Sequence, residues 1–252
     1  MTRSRLLRGL LFGAVVLLAV GVAGFLWYAQ PQPLLPQATA ALASSPGAAF
    51  RQDPDGRITY TPTAAPATTG LVLYTGGKVP PPAYAPAARA IAEAGFLVVL
   101  VPAPFNLAIL GVDAAEAVID DHAEITSWCV GGHSLGGAAA ALFVDGHPGV
   151  VDGLVLWASY SSAELTDDDV IVSSIYGTLD AGVATFTSTA NVARLGPAVV
   201  FTVIDGGNHE QMGWYTGQPD DPPATISRQA QQDRIVGVTV ELLGARQEPP
   251  LQ

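Results

Sequence analysis

A single cysteine, Cys129, stands in the chain of 252 residues, so no internal disulfide is open to it. Cysteine and histidine nowhere fall at zinc-like spacing, and neither a metal nor any other cofactor is expected. Basic residues are few as well, with 11 Lys and Arg against 22 Asp and Glu and a net charge of −11. They are scattered, so no polycationic surface exists to neutralise a phosphate backbone, and a nucleic-acid partner is not expected. Charged residues amount to only 13% while hydrophobic residues reach 49%, a balance that excludes a disordered chain and allows a well-buried sheet. Internal repeats are absent. Single cores stop growing at roughly 250 to 300 residues, so this length suits one α/β domain with a short appendage.

Charge is also missing from a long stretch near the N-terminus. Arg3, Arg5 and Arg8 precede an uncharged, mostly apolar run over 9–28, which as a helix rises about 30 Å, the thickness of a bilayer core. No Lys or Arg follows until Arg51, so the positive-inside rule keeps residues 1–8 cytoplasmic and sends the rest outward. A cleaved signal peptide is the competing reading, but its apolar region is usually about 7 to 15 residues and ends at a small-x-small site. Here the run closes on Phe25, Leu26, Trp27 and Tyr28, which are bulky and fit an interfacial anchor. Residues 29–46 are rich in Pro, Ala and Gln and read as a spacer. The folded domain is expected over 47–246, with a tail at 247–252.

Within that domain, extended pieces at 49–52 and 58–61 flank Asp53, Pro54, Asp55 and Gly56, a turn signal that predicts an antiparallel hairpin at a sheet edge. Continuous apolar runs follow at 71–74, 96–101, 128–131, 154–158 and 198–204, with a weaker one at 171–176. Continuity rather than alternation marks parallel strands covered on both faces. Helix-like stretches lie between and after them, at 84–94, 107–124, 136–145, 183–195 and 225–243. The alternation predicts β-α-β units and a mostly parallel sheet with helices on both faces. Only about ten residues separate the runs near 159 and 171, short for a parallel crossover. That link also leaves no room for a large lid domain, so an open site is expected.

Ser134 follows one such strand and precedes an Ala-rich helix in Gly132-His133-Ser134-Leu135-Gly136. A serine held on a sharp strand-to-helix turn needs small residues two places before and after it, and it projects at a helix N-terminus where free N–H groups stabilise negative charge. The plainer alternative is a serine that only caps the helix. As a nucleophile Ser134 requires a base, and the base requires an orienting acid. Of four histidines, His122 and His147 read as solvent-facing and His133 as structural. His209 follows a strand within Asp205-Gly206-Gly207-Asn208-His209, at the sheet edge where ligands bind in open α/β folds. Asp180, leaving a strand through Gly177, is the favoured acid, with Asp205 the alternative. Glu164 and Asp167 to Asp169 form a charge run that reads as solvated surface. For an oxyanion hole the donors expected are the backbone N–H groups of Leu135 and Gly77, with Lys78 as a second choice for the latter and its ammonium able to attract an anionic substrate.

Tyr74-Thr75-Gly76-Gly77, the stretch 84–96, Gly132 to Gly137, 176–180 and Gly206 to His209 together resemble the α/β-hydrolase superfamily. The chain is most similar to its fold-5 branch, related to dienelactone hydrolases. The resemblance implies an α/β-hydrolase fold, a Ser134, Asp180, His209 triad, and metal-free hydrolysis of a small-molecule ester through an acyl-enzyme. Dienelactone hydrolases commonly carry cysteine at the elbow, and the serine here points to esters rather than lactones. A non-catalytic scaffold on the same fold, or an acyltransferase or peptidase with the same triad, are the other readings.

Overall fold

The computed structural model describes residues 3–165, 169–197 and 199–246, with side chains from residue 9 onward. The arginine side chains of 3–8, Asp167, Asp168, residue 198 and the tail 247–252 therefore lie outside the described residues.

Helix α1 (Arg3–Tyr28) contains, over Gly9–Tyr28, the one segment among the described residues long and apolar enough to cross a membrane, and none of that segment is buried. A signal anchor and a signal peptide both have this character. The next residues are not a free spacer, contrary to expectation. Ala29 is buried, the Gln32 N–H donates to the Lys78 carbonyl at 2.8 Å, and Leu34 forms a β-bridge with Tyr215. Helix α2 (Pro36–Ala40) buries Ala38, and the following Ala41 carbonyl accepts from the Tyr60 hydroxyl at 2.7 Å. The stretch lacks sequence periodicity because its contacts are scattered single residues, Ala29, Gln32, Leu34, Ala38 and Ala41, and not one face of a long regular element.

Strands β1 (Ala48–Gln52) and β2 (Ile58–Pro62) form the expected antiparallel hairpin. The chain continues through β3 (Thr69–Tyr74), α3 (Ala85–Glu93), β4 (Leu97–Val101), α4 (Ala114–Asp121), β5 (Ser127–His133), α5 (Leu135–Gly146), β6 (Gly153–Trp157) and β7 (Ile171–Gly177). It ends with α6 (Val183–Phe186), α7 (Thr189–Ala193), β8 (Val199–Ile204) and α8 (Arg228–Gly244). The eight strands lie in the order β1-β2-β4-β3-β5-β6-β7-β8, antiparallel at β1-β2-β4 and parallel from there on. Every residue of β3, β4 and β6 is buried, as the continuous apolar runs require. One face packs Ile91, Trp157 and Leu243 with α3 and α8, and the other packs Val118, Phe143 and Leu154 with α4 and α5.

Two expected helices are broken. Over 107–124 only Ala114–Asp121 is α-helical, because Leu107 is extended, Ala108–Leu110 forms a single tighter turn, and Gly111 at φ −149° and ψ 47° is not helical. Over 183–195 the helix stops at Phe186 and restarts with Ser188 as N-cap, its hydroxyl accepting the Asn191 N–H. Strands β6 and β7 pair in parallel through the short link, which has no helix among its described residues. Strand β7 is not weak but buried along nearly its whole length, whereas β8 is the exposed edge.

From β3 the chain moves to one side to form β4 and then returns to the other side of β3 to form β5. The loops leaving β3 and β5 therefore diverge and open a crevice at the carboxyl edge, the position favoured for ligands in such sheets. Tyr74 pairs with Gly132, His133 with Trp157 and Gly177 with Ile204, so the loops carrying Gly77, Ser134, Asp180 and His209 all leave the sheet at this edge.

Candidate active site

Ser134 occupies a left-handed turn with φ 53° and ψ −121°, a conformation that costs about 1–3 kcal/mol and persists only when its surroundings hold it. They do so from the end of β6 and the loop after it: the Ser134 N–H donates to the Trp157 carbonyl at 3.0 Å, and the Ser159 hydroxyl donates to the Ser134 carbonyl at 2.7 Å. The flanking glycines are required by contact. A Cβ on Gly132 would lie 2.3 Å from the Gly136 carbonyl carbon, and one on Gly136 would lie 2.4 Å from the Tyr74 carbonyl oxygen. The Ser134 side chain makes no capping hydrogen bond to α5, which removes the reading of Ser134 as a helix cap.

His209 and Asp180 are brought together. His209 Nδ1 lies 2.8 Å from Asp180 Oδ2, and the Asp180 side chain is fully buried. The other carboxylate oxygen accepts the Gly182 N–H at 2.7 Å. An ionised carboxylate only accepts, so His209 carries its proton on Nδ1 and leaves Nε2 as its unprotonated nitrogen. Asp205 is not its partner; it accepts instead from Thr178 at 3.3 Å on the surface. No hydrogen bond joins Ser134 Oγ to His209. Catalytic contacts of this kind are often long before substrate binds.

Several residues that hold this arrangement carry no sequence signal. Gln231 on α8 is fully buried, accepts the Asn208 N–H at 3.0 Å and donates to the Asn208 carbonyl at 2.7 Å, clamping the histidine loop. Asp221 accepts the N–H groups of His209 and Glu210 at 3.2 and 2.8 Å. Burial raises the Asp221 carboxyl from its ordinary value, against the pull of those two N–H groups.

His133 is structural, as expected, but more specifically tied than its position suggested. The Tyr84 oxygen accepts the Gly76 N–H at 3.0 Å and is hydrogen-bonded to His133 Nδ1, 2.9 Å away. Enclosed on all sides, the imidazole is held neutral. Burial, and then the nearby His209, hold its pKa well below 6.5. The two rings lie 4.5 Å apart, so a neutral His133 does not oppose positive charge on His209. This has a stability consequence. The unfolded chain takes up a proton on His133 near pH 6.5 and the folded chain does not, so stability is present above that pH and falls with acidification by about 1.4 kcal/mol per pH unit per proton. Urea denaturation at stepped pH is expected to show this slope below 6.5, and His133→Asn is expected to flatten it.

The amide donors separate cleanly. Gly76 is committed to Tyr84 and Lys78 donates to the Asn106 carbonyl at 2.7 Å, so the Lys78 amide is occupied. Among the described residues the Gly77 and Leu135 N–H groups have no acceptor, and a Cβ on Gly77 would lie 3.5 Å from the Leu135 side chain. The Lys78 ammonium sits over the Tyr28 ring, 4.7 Å from its centre. His122 and His147 are half-buried, bonded to Glu124 and to the Phe143 carbonyl respectively, and take no part in the site. Glu164 and Asp169 are exposed, as expected of a surface run.

Two cavities meet at Ser134. One of about 310 Å³ is lined by Tyr28, Gln32, Gly77, Lys78, Leu107 and Leu135 among others. The other, about 180 Å³, lies among Ala138, Ala158, Tyr160 and Phe186. A larger open groove of about 750 Å³ lies far from this chemistry at the β1–β2 hairpin, where Arg57 is already paired with Asp55 and Asp121. Among the described residues no three His, Cys, Asp or Glu side chains gather as metal ligands.

A strained serine at the crevice of a mostly parallel eight-stranded sheet defines a hydrolase of the α/β class. The Abhydrolase_5 model of the alpha/beta hydrolase family matches residues 70–233, and the chain belongs to that family. Solved structures share the fold at low identity. A dienelactone hydrolase from Anabaena variabilis is similar at a TM-score of 0.62 and 14% identity, covering 79% of this chain and 98% of its own. Est1E from Butyrivibrio proteoclasticus is similar at 0.54 and 12%, covering 79% and 99%. An S-formylglutathione hydrolase from Agrobacterium tumefaciens is similar at 0.53 and 14%, covering 80% and 98%. No protein of curated function matches the sequence significantly.

Proposed function

We propose that this chain is a serine hydrolase of carboxylic esters, held at a membrane by α1 with its catalytic domain on the extracytoplasmic side. The observation that carries the proposal is the 2.8 Å contact of His209 Nδ1 with a buried Asp180 carboxylate, at the same sheet edge as an uncapped Ser134. His209 Nε2 takes the Ser134 proton as Oγ bonds to the ester carbonyl carbon, and the free Gly77 and Leu135 amides receive the oxyanion. The carbon–alkoxy bond then breaks, with the proton passing from His209 to the departing alcohol. Water, deprotonated by His209, attacks the acyl-enzyme, and the carboxylic acid leaves as Ser134 regains its proton. Asp180 holds the His209 tautomer and stabilises the imidazolium. The cavities on either side of Ser134 give separate room to the acyl and alcohol arms. Arg3, Arg5 and Arg8 before the apolar run support the orientation.

A fluorophosphonate probe tests the proposal. Stoichiometric labelling at Ser134 is expected, with loss of labelling in His209→Ala. A probe that leaves Ser134 unmodified on the folded full-length chain would end the reading.

A further inference from the structure

The end of the apolar helix and the catalytic crevice are one piece of structure. Tyr28 closes α1, and only four residues later the Gln32 N–H is bonded to the Lys78 carbonyl, beside Gly77. A tether of that length spans at most about 14 Å even fully extended, and here it is packed, with Ala29 buried. Tyr28 and Gln32 also line the larger cavity at Ser134. Wherever the end of α1 meets the bilayer surface, the mouth of this cavity meets it too.

The surface around that point has the character of a membrane interface. Trp27 and Tyr28 are 80% and 57% exposed at the helix end, the placement of aromatic belts at headgroup level. The Lys78 ammonium lies over the Tyr28 ring, a cation at the same level. The connection after β4 continues the belt. Phe105 packs edge-on against Phe25 with ring centres 5.1 Å apart, and Phe105, Ile109 and Leu110 are 50%, 42% and 53% exposed. Phe105 adopts φ 55°, a genuine outlier for a bulky residue. Asn106, next in the chain, accepts the Lys78 N–H and so ties this apolar loop to the crevice.

We infer that the bilayer surface is the partner of this apolar rim, and that the substrate is a long-chain carboxylic ester drawn from that bilayer through the cavity between Tyr28, Lys78 and Leu107 into reach of Ser134. The substrate half of this inference rests on the serine-hydrolase reading above; the seat at the membrane does not. The short β6–β7 link leaves the mouth uncovered by a lid domain, and the membrane takes the place of one. The reaction is the hydrolysis already written, with the acyl chain supplied from the lipid phase and the fatty acid returned to it.

The test uses the full chain in phosphatidylcholine vesicles containing 4-methylumbelliferyl oleate, with water-soluble p-nitrophenyl acetate as comparator. Ile109→Asp with Leu110→Asp is expected to lower turnover of the vesicle-borne ester at least about tenfold, since two apolar side chains no longer bury in lipid. Acetate turnover and fluorophosphonate labelling are expected to be unchanged. Equal loss on both esters would place the loop within the site, and no loss on either would detach it from the bilayer; each overturns the inference. A polarity-sensitive fluorophore on Ile109→Cys reads the seat independently of catalysis. Cys129 does not compete for it, being fully buried with its thiol pushed up to about 12. A blue shift on vesicle binding and quenching by spin-labelled lipid are expected, and an aqueous spectrum would overturn the seat. A mature chain beginning after Tyr28 by mass measurement would remove the tether and the inference with it. Absent labelling and absent turnover of both esters would instead defeat the hydrolase reading, with the fluorophore still reporting on the seat.

Discussion

Ser134→Ala is expected to lower the turnover of an activated ester by on the order of 10⁶-fold, as in the best-studied comparable triad. Without Oγ no acyl-enzyme forms, and the residual rate, roughly 10³ to 10⁴ above water, comes from the oxyanion donors and binding alone. The substitution leaves the fold intact for stated reasons. The strained backbone at φ 53° is held by the Trp157 carbonyl and the Ser159 hydroxyl, both of which contact Ser134 main-chain atoms that alanine keeps. Steady-state rates with p-nitrophenyl acetate, on protein whose circular dichroism matches the parent, provide the measurement. A rate within tenfold of the parent would sink the assignment of Ser134 as nucleophile.

Asp180→Asn is the second large effect, expected on the order of 10⁴-fold in kcat. An asparagine amide facing His209 donates where the carboxylate accepted. It therefore favours the tautomer with the proton on Nε2, the wrong one for a base acting on Ser134. Because Asp180 is fully buried and also accepts the Gly182 N–H, the shape of the turn survives the change. Asp205→Asn supplies the contrast. Asp205 is bonded to Thr178 on the surface, and its loss is expected to change kcat little. If Asp205→Asn were the crippling variant and Asp180→Asn the mild one, the acid would have been assigned to the wrong strand end.

Much of this was legible in the sequence because the signals are local. The hairpin announced itself through Asp53 to Gly56, the buried strands through unbroken apolar runs, and the elbow through glycines spaced two residues either side of Ser134. Geometry explains why those glycines are there, since a single added carbon would strike the Gly136 or Tyr74 backbone. Broken helices were less legible. The apolar content of 107–124 continues past Gly111, but an extended Leu107, a single tight turn over Ala108–Leu110 and a non-helical Gly111 hold the helix back to Ala114, and that path follows from the loop's contacts. Gln231, Tyr84 and Asp221 could not have been found at all. A buried glutamine on a helix, a tyrosine before one and an aspartate in a loop look ordinary until the residues they bond are known.

The stretch 29–46 marks the boundary most clearly. By composition it is a Pro- and Ala-rich spacer, and by contact it is a strap fixed beside the crevice through Gln32 and Leu34 and to β2 through Ala41. From its residues alone this chain determined its fold class, its apolar helix and Ser134 in a turn that only glycines permit, because each depends on neighbours a few positions away. The tertiary structure decided which carboxylate meets His209, which amides stay free beside Ser134, and that the helix end forms a wall of the same cavity. Those outcomes depend on strands being placed side by side out of sequence order, with the chain turning to opposite sides of β3, and no local pattern encodes the distance between two loops that such a crossing creates.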